Sequence, residues 1–182
     1  MTEEALEKLK YPIGRFRWVE VLTDTAVEQY TQQILDFPKQ LENTLAPLTP
    51  SDLQRPYRPG GWTIAQLVHH LADSHLHCYL RFKQALTEDT PTVMDSSPDH
   101  WAAMPDAQNT DPHSSLLLLR GLHQRWGELL QNTPKEQLAR RYFHPNRDRY
   151  YSLFTVLALY AWHGQHHLAH IKNTSVTGGS SR

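Results

Sequence analysis

A chain of 182 residues, 39% apolar and 20% charged, is long enough to bury a core as a single domain and too rich in apolar residues for a disordered polymer. Its formal net charge of −1 argues against bulk binding to phosphate backbones, and the densest basic stretch, "RRYFHPNRDR", is interrupted by Pro145 and Asp148. No apolar run approaches the roughly 20 residues of a membrane span, "MTEEALEKLK" lacks the apolar core of a secretory signal, and the lone cysteine, Cys78, cannot form an intrachain disulfide; the expectation is a cytoplasmic protein with neither nucleic acid nor membrane as partner.

Four stretches carry helical periodicity and none convincingly alternates like a strand. The first runs from about Asp24 to Ala46; Pro38, in "FPK", should kink or break it, because proline removes a backbone donor and crowds the preceding turn. The second runs from about Trp62 to Leu86, entered through the turn "RPGGW" with Thr63 as N-cap. A long, proline-containing connection, "TEDTPTVMDSSPDHWAAMPDAQNT", precedes the third helix, about Asp111 to Gln131, with Pro112 in its first turn. The fourth runs from about Ser152 to Lys172, followed by a Gly/Ser-rich tail expected to be flexible. The reading is an all-α four-helix bundle over residues 1–172, with a long loop between the second and third helices and a tail over 173–182.

Twelve histidines are many for this length, and four fall within "WHGQHHLAH", residues 162–170. On a wheel at about 100° per residue with His163 at zero, His167 lies roughly 40° to one side. His170 and His166 lie roughly 20° and 60° to the other. Val156, Leu159 and Tyr160 occupy the same arc, so the histidines continue the core-facing stripe. Imidazoles there need partners, and a divalent metal satisfies several at once, since residues i and i+4 project to one point from adjacent turns. The pair His163/His167 is centred nearer the apolar stripe than His166/His170. No glutamate stands between them as in the HExxH protease motif. A third ligand should come from the second helix, whose "HHLADSHLH" offers His69, His70, Asp73, His75 and His77; the wheel does not choose among them.

The run "YRPGGWTIAQLVHHLADSHLHCYLRFKQALTEDTPT" together with "FHPNRDRYYSLFTVLALYAWHGQHHLAHI", supported by "YPIGRF" and "LHQRW", resembles the YfiT-type branch of the DinB-like superfamily over nearly the whole chain. Members of that branch are named as metal-dependent hydrolases or, in some cases, bacillithiol transferases. The resemblance implies a four-helix bundle, a homodimer, and one divalent metal per chain, zinc or nickel, held by three histidines. Carried onto this sequence those are His70, His163 and His167, with water in the remaining positions.

Three protein ligands and an open position mark a catalytic rather than a structural metal. The expected activity is hydrolysis of a small-molecule substrate by metal-bound water. The alternatives are metal-dependent transfer of a low-molecular-weight thiol to an electrophile and a non-catalytic metal-binding module. His170, His166 and Asp73 are candidates to orient the ligands or shuttle protons behind them, although for His166 a plain packing role is the simpler expectation. Arg81 is expected to form a structural ion pair or meet an anionic substrate, Trp62 and Trp101 to pack at the bundle end, and Cys78 to fill core volume.

Overall fold

The structure, a computed structural model, describes residues 2–19 and 21–177. Its elements, in chain order, are α1 (Glu3–Lys10), α2 (Asp24–Leu45), α3 (Pro50–Leu53), α4 (Ile64–Thr87), α5 (Pro98–Ala102), α6 (His113–Gln131), β1 (Arg141–His144), β2 (Arg149–Ser152) and α7 (Leu153–Thr177). Of these, α2, α4, α6 and α7 form a four-helix bundle. Both α2 and α4 pack on α6 and α7, so α2 and α4 occupy opposite corners of the bundle. Successive helices at opposite corners cannot be joined by a tight hairpin, and residues 46–63, which include α3, cross the bundle end instead.

Two of the long helices, α2 and α4, start at a threonine cap. Thr23 accepts from the Ala26 N–H at the start of α2. Thr63 and Gln66 form a reciprocal capping box at the start of α4. The turn before it depends on Gly60, whose φ of +68° suits glycine. Two glycines bring helices close to α2. A Cβ on Gly127 of α6 would lie 2.0 Å from Leu35 Cδ2, and one on Gly164 of α7 would lie 2.7 Å from Phe37 Cδ2.

The core forms two apolar clusters stacked along the bundle. One gathers around Phe82, Trp126, Leu153 and Leu157, the other around Leu41, Leu67, Leu71, Leu119 and Leu168. His75 and His163 fall between the two along their own helices, and His123 of α6 meets His75 there. A layer of imidazoles therefore divides the hydrophobic core.

Several elements differ from the sequence expectation. Pro38 does not break α2, which is helical without interruption from Asp24 to Leu45; the carbonyl it leaves without a helical donor, that of Ile34, accepts from His123 instead. The connection between α4 and α6 contains α5, and Pro112 sits at the N-cap of α6 rather than inside its first turn. An antiparallel hairpin, β1 with β2, pairs Tyr142 with Tyr151 and turns at Asp148, whose φ is +44°. Its four-residue strands are too short to show alternation. Helix α7 continues past Asn173 to Thr177. There the Thr174 carbonyl accepts from Arg55, and its hydroxyl donates to the His170 carbonyl. The rest of the expected tail, 178–182, lies outside the described residues. No helix among the described residues is long and apolar enough to cross a membrane.

Candidate metal centre

Helix α4 sets His70 two turns beyond its cap, and α7 carries His163 and His167 one turn apart on the face that meets α4. The structure brings these three rings together. His163 Nε2 stands 3.3 Å from His70 Nε2 and 3.1 Å from His167 Nε2. The ring planes of His163 and His167 are close to perpendicular, at 89°, and the Trp62 ring lies 4.8 Å from that of His70. One donor nitrogen from each ring lies within 4.8 Å of the other two.

Hydrogen bonding alone does not satisfy this set of rings. A ring nitrogen offers either one hydrogen or one lone pair, so His163 Nε2 can satisfy only one of its two neighbours by hydrogen bonding. Metal–nitrogen bonds of about 2.0–2.1 Å in a tetrahedral shell place nitrogens about 3.3 Å apart. Both separations at His163 fit that spacing, and the donors are of the type that zinc and nickel accept. The residues present fit a single divalent cation.

Burial keeps these rings neutral, which ligation requires. It pushes His163 and His167 well below the usual histidine range, with neighbouring histidines adding to the effect. It lowers His70 to about 4 against a smaller opposing pull from Asp99. Asp73, half buried, is raised by burial and by the nearby Asp106 carboxylate. A small cavity of about 30 Å³ opens beside His70, lined by Asp73, Ser74, Ser96, Pro98, Trp101 and Ala102.

The other candidates separate cleanly. His167 Nδ1 lies 3.2 Å from His170 Nδ1, and His170 Nε2 lies 3.0 Å from the Leu9 carbonyl oxygen and 3.2 Å from that of Lys10. A second triad, His166, His167 and His170, is close enough to share an ion, but both nitrogens of His170 already have partners. His166 stacks on Trp162 at 4.4 Å with its Nδ1 buried and unpartnered. Asp73 lines the cavity and makes no hydrogen bond to His70, His163 or His167 among the described residues. His69 bonds Ser115 and the Asn109 carbonyl, and His77 packs against Trp101. Arg81 has no ion pair among the described residues and donates to the Met94 carbonyl at 2.9 Å. Cys78 is fully buried, its thiol pushed well up by burial, as a core residue should be.

Sequence reasoning passed over His123. It lies at 0% exposure in α6, with its Nε2 2.8 Å from His75 Nδ1. The signal was present: His123 occupies the spacing that places Leu119, Trp126 and Leu130 in the core.

Comparison with known proteins agrees with this architecture. The model of the DinB superfamily matches residues 33–171. Bacillus subtilis (strain 168) YfiT, which carries the name "Putative metal-dependent hydrolase", is 40% identical over 167 residues, covering 92% of this chain and 94% of the relative. A relative from Bacillus licheniformis, named in the same way, is 41% identical over 167 residues, covering 92% and 95%. A solved structure of Bacillus subtilis YfiT, described as a probable metal-dependent hydrolase with an unusual four-helix bundle topology, superposes with a TM-score of 0.92 at 40% identity, covering 96% of this chain and 99% of that one.

Proposed function

The chain belongs to the DinB superfamily, and from that premise we propose that it is a metal-dependent hydrolase whose cation, zinc or nickel, is held by His70, His163 and His167. The convergence of three Nε2 atoms at His163 carries this reading. When bound, a divalent cation there supplies a Lewis acid that draws the pKa of a coordinated water or thiol towards neutrality.

The chain's own residues shape that chemistry. All three ligands are neutral rings, and the partners of His163 and His167 are further histidines rather than carboxylates. The charge of the cation is therefore not offset at the site, which favours an anionic fourth ligand. The cavity beside His70 has room for about two water molecules. Pro98 and Trp101 provide an apolar wall, and Asp73, with its raised carboxyl, is the lining group suited to hold or pass a proton.

Elemental analysis of the purified protein should find close to one zinc or nickel per chain, and none in His163→Ala; full occupancy in that variant would remove the assignment. Metal-loaded protein should then hydrolyse activated esters or amides without added thiol. Turnover that appears only with a low-molecular-weight thiol, and that yields a conjugate, would replace hydrolysis by thiol transfer at the same three histidines.

A further inference from the structure

The geometry points to a buried relay of two histidines, His75 and His123, ending on the Ile34 carbonyl freed by Pro38, which fixes the tautomer of His163 and so aims its Nε2 lone pair into the cation site. The inference rests on the cation-site reading for its purpose, though not for its geometry.

The direction of the relay follows from its far end. A main-chain carbonyl carries no hydrogen, so the 2.6 Å contact between His123 Nδ1 and the Ile34 oxygen requires His123 Nδ1 to donate. In the neutral ring His123 Nε2 is then an acceptor, and at 2.8 Å it takes the hydrogen of His75 Nδ1. His75 Nε2 becomes an acceptor in turn, and at 3.2 Å it takes the hydrogen of His163 Nδ1. His163 is left with a bare Nε2, facing His70 and His167. His167 is set in the same way: His170 Nε2 donates to the carbonyls of Leu9 and Lys10, its Nδ1 accepts from His167 Nδ1, and His167 Nε2 is left bare. Two lone pairs thus face each other across 3.1 Å. Without a positive charge between them that arrangement is repulsive; His163 and His167 would both be free to hold a cation placed there.

The long relay has a sequence origin. In an α-helix the N–H of residue 38 would bond to the carbonyl of residue 34. Pro38 has no N–H, and its ring crowds that carbonyl, which leaves the Ile34 oxygen available to α6. Phe37 then covers the relay, with its ring 5.1 Å from His75 and 5.3 Å from His123. Since the chain of hydrogen bonds ends on an acceptor that cannot be protonated, it does not export a proton. It orients His163 and spreads the polarisation that a bound cation imposes on that ring.

Imidazole tautomers can be read directly by nitrogen-15 two-bond correlation NMR on histidine-labelled, metal-free, full-length protein. His123, His75 and His163 should all report Nδ1–H, the form less favoured by free histidine; Nε2–H at His163 overturns the proposal. Zinc affinity, measured by competition with a chromophoric chelator, should fall about 10–100-fold in His123→Leu. It should stay near the wild-type value in His123→Gln, whose amide can both donate to Ile34 and accept from His75. Equal zinc affinity in wild type and a folded His123→Leu would also overturn the relay. Should the wild-type protein take up neither zinc nor nickel, the cation-site reading fails by itself, and the tautomers of the metal-free protein still decide the relay.

Discussion

Acidifying the metal-free protein should unfold it in a window set by its buried rings. Burial lowers His70 and His123 from 6.5 to about 4, and holds His75, His163 and His167 well below the usual histidine range. Above about pH 6.5 these histidines are neutral in both folded and unfolded chains, and their contribution to stability is fully present. As the pH falls below that value the unfolded chain takes up protons that the folded core refuses, so stability is lost progressively towards pH 4. At about 1.4 kcal/mol per pH unit, His70 and His123 alone remove roughly 6–7 kcal/mol by pH 4, and the deeper rings act with the same sign. A domain has only about 5–15 kcal/mol to lose. Far-UV circular dichroism and tryptophan fluorescence, followed in the presence of a chelator, should therefore show cooperative unfolding with a midpoint between pH 6.5 and 4. Saturating zinc binds only the neutral rings; at a hundredfold excess over Kd it adds about 2.7 kcal/mol and should move the midpoint to lower pH. Metal-free protein that kept its native spectrum through pH 4 would show that the imidazole layer is not held neutral by burial, and the reasoning would fall.

Three substitutions examine the frame around the site. Gly164→Ala would place a methyl group 2.7 Å from Phe37 Cδ2. It should cost about 1–3 kcal/mol in denaturant unfolding and weaken zinc binding, because the ring that covers His75 and His123 must shift; unchanged stability would mean that α7 can move off α2 freely. His166→Phe should keep full zinc occupancy by elemental analysis, since His166 stacks on Trp162 and has no nitrogen on the convergent point. Loss of zinc there would shift the site to the second triad. Thr63→Ala should lower the thermal midpoint by an amount equivalent to about 1 kcal/mol, the usual worth of an N-cap, through loss of the bond from the Gln66 N–H.

Much of the fold could be read from spacing, because amphipathic helices write their buried face into the sequence at a period of 3.6. The expected starts at Asp24 and just after Thr63 match α2 and α4. The i,i+4 pair in α7 could be read for the same reason, since one helix sets both positions. His70 needed the family resemblance. Its wheel position does not separate it from its neighbours, and its nearness to His163 arises from how α4 meets α7, a tertiary fact. The β1–β2 hairpin and α5 escaped because segments of four or five residues carry too few positions for a period to show.

Pro38 shows most clearly what a local reading gains and misses. Its chemistry was legible: a proline inside a helix deprives the carbonyl four residues earlier of its donor. The expected outcome was a kinked or broken helix, yet α2 is helical on both sides of Pro38 and the freed carbonyl has found a donor. That donor is His123, 89 residues away in sequence, brought to Ile34 by the packing of α6 on α2. A buried carbonyl without a donor is costly, and so is a buried imidazole without an acceptor; each removes the cost of the other. The apparent fault in α2 and the unexplained histidine in α6 are thus one feature, which no window short enough to describe a single helix could contain.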